Sequence, residues 1–418
     1  MEKHYWFYID SYVYISINHY DVLLYNPYTG KFLEYRNDIP ISSLVKKIRS
    51  FNNLQVIRLT ETDLSDPQIK RFVDAVRDYF LGDLIDVEFS GGKPVLMLSY
   101  LKIQKDVKYL KNRKNRSIGE KLLNYLNEIT LYITNECSAG CTGCKEAYRQ
   151  FLCCGRSKAK KQELELDKTI RFLDWLKGLP SLHLNITGGN IFRYSEWEAL
   201  IQYLSSWSGS KSFIVHYLNL ENMQTTLTHL ASLPSSNLVI PVSFPVEDVK
   251  LEKAMKVVLS SGMPFSFLFI IQKEEDIKGA ELVLEKYPDL SPGIHPFYNG
   301  MNLEFFKDNL FIDRDRIEIA RPTLKDIYIN SVVNSVYFGK LVVFPDGKIC
   351  AHANSRQLGF LGRESIYNLL MKEMSSCRSW RKVRRNVKPC RNCIFNCLCP
   401  PLSNINRVMR KNNLCDIQ

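Results

Sequence analysis

Between Glu128 and Phe297 short apolar segments alternate with amphipathic ones six times, and nothing else in the chain restricts the fold as tightly. The apolar segments are Ile129–Ile133, Leu182–Ile186, Phe213–Tyr217, Leu238–Val242, Phe265–Ile271 and Gly293–Phe297, and they read as buried strands. Between them apolar residues recur with a helical period; over Asp167–Leu176, Ile170, Leu173 and Leu176 share one face. Repeated strand–helix units imply a parallel sheet with crossover helices. Residues 126–325 are fewer than the ~250 typical of a closed eight-unit barrel, so a partial (β/α)6 barrel is expected. Working groups in such sheets sit at the carboxyl ends of the strands.

The flanks follow other patterns. Residues 1–100 begin with aromatic and β-branched stretches, Trp6–Ile17 and Asp21–Tyr35, with a turn at Asn26–Gly30, the pattern of a β-meander. Pro40 opens a helix with Leu44, Val45 and Ile48 on one face, Gln55–Thr60 is a short strand, and Asp66-Pro67 starts a second helix. Residues 101–125 are basic and weakly patterned, as in a linker. Residues 330–418 are loop-rich, with a turn at Phe344–Gly347 and a helix near Ser365–Met374. So small a unit calls for a metal staple in place of a large core.

Twelve cysteines fall in two groups, five between Cys137 and Cys154 and seven between Cys350 and Cys415. Such grouping in a large chain with no secretory signal points to metal binding over disulfides. With no apolar run near the ~20 residues of a membrane span, the expected address is the cytoplasm. The net charge of +12 gathers in Lys111–Arg116, Lys158–Lys161 and Arg381–Arg385. No nucleic-acid motif accompanies these runs, so they read as solvated loops, with a groove for an acidic peptide ranked above nucleic acid.

The first cysteine group opens with Cys137-Ser-Ala-Gly-Cys141-Thr-Gly-Cys144, directly after the first barrel strand. Three thiolates satisfy three irons of a 4Fe–4S cube and leave the fourth open, whereas a structural site closes its last position. At the end of the second strand stands Thr187-Gly188-Gly189-Asn190. Together these resemble the signature of radical S-adenosylmethionine enzymes. The resemblance implies a 4Fe–4S cluster on Cys137, Cys141 and Cys144, and S-adenosylmethionine held by Thr187, Gly188, Gly189, Asn190 and Ser243. Gly143 stands where the family places an aromatic residue, and Asn190 where it places an acid. An amide makes a weaker hydrogen bond to an ammonium than a carboxylate does.

The tail carries Cys390-x2-Cys393-x5-Cys399-x15-Cys415, with Cys397 as a spare. This resembles the SPASM or twitch extension of peptide-modifying radical enzymes and implies an auxiliary 4Fe–4S cluster; zinc is the alternative. Cys350 stands in reserve as a ligand, His352 reads as a surface or core histidine ahead of a ligand, Cys377 and the adjacent Cys153 and Cys154 read as structural, and Ser243 and Gln272 are strand-end polar residues or contacts to a ribose. The N-terminal region resembles the winged-helix-like peptide-recognition domain of peptide maturases. Tyr148–Cys154, Cys399–Asn404 and Asn413–Cys415 resemble the pseudo-radical-SAM proteins of Bacteroidales systems that mature peptides ending in Gly-Gly. The implied partners are a ribosomal precursor peptide, an electron donor and a second radical SAM maturase. Two functions follow from the resemblance: hydrogen abstraction from a peptide, or a non-catalytic subunit that binds peptide or maturase.

Overall fold

The structure, a computed structural model, describes residues 2–98, 122–141, 148–153, 160–179, 181–288, 290, 292–376 and 378–417. Its fifteen described strands are β1 His4–Ile9, β2 Tyr14–Asn18, β3 Asp21–Tyr25, β4 Phe32–Tyr35, β5 Val56–Thr60, β6 Gly82–Asp86, β7 Glu128–Tyr132, β8 His183–Thr187, β9 Lys211–Ile214, β10 Ser236–Ser243, β11 Phe265–Ile271, β12 Gly293–Pro296, β13 Lys340–Val343, β14 Lys348–Cys350 and β15 Gln357–Phe360. The expected linker falls largely outside the described residues, but Leu122 and Leu126, near its end, are buried in the barrel core.

The six expected barrel strands are present and pair in chain order, all parallel, from β7 to β12. Helices such as Leu166–Asp174, Trp197–Ser205 and Asp248–Ser261 cross between them. Alternate strand residues divide between two apolar layers. Phe213, Leu238, Ile240, Phe267 and Phe269 join the helices in one core, while Ile214, Val239, Leu268 and Ile270 belong to a separate cluster. Among the polar side chains enclosed with them, Lys211 is fully buried, and its ammonium donates to the carbonyls of Trp207 and Gly209 at 2.8 and 3.1 Å.

Two features depart from the sequence reading. The meander contains only β2–β4; β1 turns away at Asp10–Val13 and sits between β5 and β6 in a second three-stranded sheet. Periodicity cannot foresee this, because β1 gains its partners from residues some fifty and eighty positions on, as in Phe7 opposite Ile57 and Leu84. The C-terminal region, second, shares the barrel's sheet. Strand β13 pairs in parallel with β7, and β14 and β15 extend it, giving one nine-stranded sheet. Leu341, Val343, Ile349, Leu358 and the fully buried Trp380 share the barrel core.

Sheet β2–β4 in turn backs the cysteine tail. Leu23 and Tyr25 pack with Ile394, Phe395, Leu398 and Cys399, and the rings of Phe32 and Phe395 meet edge to face at 5.2 Å. The Tyr25 hydroxyl donates to the carbonyl of Pro322, and Arg314 pairs with Glu34 at 3.0 Å. No helix among the described residues is long and apolar enough to cross a membrane.

Candidate functional site

The carboxyl ends of β7 and β8 bring the two sequence motifs into contact. After β7 the chain runs Thr134-Asn135-Glu136-Cys137; after β8 it runs Gly188-Gly189-Asn190. The N–H of Gly189 donates to the carbonyl of Thr134 at 2.8 Å and that of Asn190 to the carbonyl of Glu136 at 2.6 Å. Both glycines are required here. A Cβ on Gly188, whose φ is +147°, would lie 2.4 Å from the Thr134 oxygen. One on Gly189 would lie 2.1 Å from the Glu136 oxygen and 2.9 Å from Cβ of Cys137.

Charges fasten the start of the cysteine loop. The Glu136 carboxylate meets Arg193 at 2.9 Å and Lys161 at 3.1 Å, and Lys161 also reaches Glu163 at 3.2 Å. Arg193 first, then Lys161, hold the Glu136 carboxyl below its ordinary pKa. Cys137 and Cys141 are half-buried and not disulfide-bonded. Cys144 lies outside the described residues, so the third expected ligand is not placed.

Strand β9 delivers residues that the sequence reading missed. The sulfur of Cys137 accepts from the N–H of Ala139 at 3.4 Å and from the Asn219 amide at 3.8 Å. His216 is buried, stacks on Tyr217 at 4.8 Å and accepts the N–H of Leu218 at Nδ1. Its proton therefore sits on Nε2, which donates to Ser243 Oγ at 3.2 Å. Burial pushes the His216 pKa down to about 4, so the ring is neutral at pH 7. The Tyr217 pKa is raised, by burial first and then by Glu247 and Cys141, against the Glu247 N–H that donates to its oxygen. The signal was available: His216-Tyr217-Leu218-Asn219 is a polar and aromatic run at a strand's carboxyl end.

Other expected contacts are already committed within the chain. The Asn190 carboxamide oxygen accepts the N–H of Phe192 at 3.1 Å and caps the turn Ile191–Arg193. The Thr187 hydroxyl donates to the Leu152 carbonyl at 3.0 Å, and Gln272 bonds Asn299 at 3.2 Å. Phe151, Leu152 and Cys153 pack against Ile214, Val239, Leu268, Ile270 and Phe297, so the apolar layer opposite the helices is filled by the protein's own segment. Gln150 ties that segment to Tyr298 through two hydrogen bonds, and Arg149 stacks over Phe344 at 4.5 Å.

In the tail, Cys390, Cys393, Cys399 and Cys415 lie within electrostatic reach of one another. The thiol of Cys399 is pushed up to about 12, by burial first and then by Cys393, Cys415 and Cys390 against Arg384. Burial raises Cys393 and Cys415 as well, with Cys390 adding to both. Arg384 is buried and donates to Cys390 Sγ at 3.5 Å, to the Asn412 carbonyl at 2.7 Å and to the Pro400 carbonyl. The basic run Arg381–Arg385 is thus not simply a solvated loop; Arg384 ties the tail together internally. Cys397 turns to Asn396 and Tyr14. Cys350 is fully buried beside Tyr132 and Phe344, its thiol pushed up to about 11 by burial. Cys154 and Cys377 lie outside the described residues. Among the described residues, no three His, Cys, Asp or Glu side chains are arranged to hold a single metal ion.

No protein-family model matches the sequence, and no curated protein matches it. Among solved structures, the chain is similar to SuiB of Streptococcus suis bound to S-adenosylmethionine, with 12% identity, 97% of each chain covered and a TM-score of 0.45. SuiB bound to the precursor peptide SuiA gives 12% identity, the same coverage and a TM-score of 0.46. Native anSMEcpe with bound AdoMet gives 11% identity over 65% of this chain and 88% of that one, with a TM-score of 0.45.

Proposed function

We propose that this chain is an iron–sulfur protein of the radical S-adenosylmethionine type that acts on a ribosomally made peptide. The observation that carries this reading is the seating of the Cys137 loop on the Gly188-Gly189 turn, with Gly189 pressed against the backbone that presents Cys137. The residues described fit a loop-held cluster. Cys137 and Cys141 stand at the mouth of the sheet, and the Ala139 N–H and Asn219 amide supply hydrogen bonds to sulfur that tune such a cluster. Cys144 would be the third ligand, and Cys390, Cys393, Cys399 and Cys415 would hold the auxiliary cluster. These four thiols lie within electrostatic reach of one another, and zinc is the alternative occupant.

Bound together, cluster and S-adenosylmethionine supply one-electron reductive cleavage and hydrogen abstraction. The chain's own part is positional. Glu136, clamped by Arg193 and Lys161, fixes the loop; neutral His216 orients the Ser243 hydroxyl; the apolar layer keeps water out. The test is anaerobic reconstitution. Iron and sulfide consistent with two 4Fe–4S clusters are expected, and replacing Cys137, Cys141 and Cys144 by Ala removes about one cluster's worth. Reduced protein with S-adenosylmethionine then releases 5′-deoxyadenosine, and more with the peptide present. Zinc without sulfide overturns the reading.

A second reading, a non-catalytic subunit that binds peptide or maturase, is favoured by Phe151–Cys153 filling the layer a substrate would enter and by Asn190 spending its amide on a cap. Under it the cluster forms, no 5′-deoxyadenosine appears, and the protein co-purifies with a second maturase.

A further inference from the structure

We infer that the C-terminal region holds a binding site for one small oxyanion, a carboxylate or phosphate group, between the Cys399–Cys415 segment and the turn Ser379–Lys382. A small cavity of about 40 Å³ opens there, and three of its lining residues are the cations Arg378, Lys382 and Arg407. No Asp or Glu is in the lining. Arg378 and Arg407 stand at the exposed rim and Lys382 is half-buried. None of the three forms a salt bridge within 4 Å among the described residues.

The other polar groups point to the same ligand chemistry. Tyr337 contributes a buried hydroxyl that has no hydrogen-bond partner among the described residues, and such a group demands an explanation. His352 stacks on Tyr337 at 4.1 Å and accepts the Asn354 N–H at Nδ1, so its proton is on Nε2 and its free nitrogen is a donor. The lining amides are spent: Asn334 bonds Lys382 and Leu402, and Asn406 bonds Lys411 and Asn412. What remains uncommitted is a set of donors around a space too small for more than a few atoms. An acceptor bearing negative charge satisfies these donors and the cations together, and two guanidinium groups match a planar or tetrahedral oxyanion.

The site shares no residue with the cysteine loop and stands apart from the function proposed above. The experiment is thermal unfolding and calorimetric titration of the full-length protein with inorganic phosphate at constant ionic strength. A saturable rise in Tm is expected in wild type. Arg407→Gln should weaken binding by about ten- to a hundredfold, the value of one charge-assisted hydrogen bond. The same variant without phosphate should unfold at or above the wild-type temperature, since it removes a repelling cation. Tyr337→Phe should also bind more weakly without loss of free-state stability, because the hydroxyl has no partner to lose. Two further titrants identify the source: a short peptide with a free terminal carboxylate and its amidated twin. Displacement of phosphate by the free acid alone assigns a peptide carboxylate; phosphate binding without displacement assigns the free ion. No saturable response, or equal affinity in Arg407→Gln and wild type, overturns the site.

Discussion

Gly189→Ala tests whether the join between the two motifs organises the site. The new methyl would sit 2.1 Å from the Glu136 carbonyl oxygen and 2.9 Å from Cβ of Cys137. Neither neighbour is a flexible side-chain tip. The carbonyl also accepts the Asn190 N–H at 2.6 Å, so withdrawing it breaks that bond. Overpacking costs about 1–3 kcal/mol and a lost buried hydrogen bond about 0.5–1.5 kcal/mol, which together give about 1.5–4.5 kcal/mol. Any relief moves Cys137 from its place beside Asn219. Urea unfolding of metal-free protein measures the first effect and iron content after reconstitution the second. Gly178→Ala is the control: its Cβ meets nothing within 4 Å, and a neutral or slightly stabilising change is expected. If Gly189→Ala matches the control in both stability and iron, the two motifs are not mechanically joined and the reasoning fails.

Further expectations are more local. His216 holds a pKa of about 4 in the folded chain against 6.5 unfolded. Between these values the unfolded state binds more protons, so stability falls as pH drops from 6.5 to 4, by up to about 3 kcal/mol. His216→Gln should flatten that acid limb, which a pH series of urea midpoints reads directly. Alkylation of the metal-free protein at pH 7 should label Cys137 and Cys141 well before Cys350 and Cys399, whose thiols are buried and pushed to about 11 and about 12; mass spectrometry showing equal rates would contradict the burial. Trp380→Ala should cost about 3–5 kcal/mol, because the ring is fully buried and its Nε1 bonds the Lys340 carbonyl at 3.1 Å. Arg384→Met should lower tail iron content while Arg385→Met does not, since only Arg384 is buried against Cys390, Pro400 and Asn412.

Elements whose stability is local were legible in the sequence. The barrel strands show as apolar runs because both faces are covered, and Asp38 and Asp66 cap their helices as the Pro-led pattern implies. What escaped depends on partners distant in the chain. The pairing of β13 with β7 joins segments about two hundred residues apart, and neither carries a mark of the other. Phe151 and Cys153 read as an aromatic and a structural thiol; that they line the apolar layer of the sheet is a property of Ile214, Ile270 and Phe297 as much as of themselves. The Asn190 cap is a different failure. Its three-residue turn is too short for the sequence to announce, yet it claims the carboxamide that family resemblance assigns to a ligand.

The seating of β2–β4 on the cysteine tail sets an order of events during synthesis. The Asn18 amide bonds the Asn392 carbonyl, a pair 374 residues apart, and Leu23 and Tyr25 are covered by Ile394 to Cys399. At ~5–20 residues per second the ribosome takes roughly 20–75 s to deliver that cover. For this interval the N-terminal sheet presents an uncovered apolar face to solvent, the kind of surface that recruits chaperones or promotes aggregation. The tail cysteines, Cys390 to Cys415, are by the same geometry the last to find their partners. Yield on overexpression is then governed by how long the N-terminal sheet waits, and slowing translation should lower soluble recovery unless a holdase shields that face.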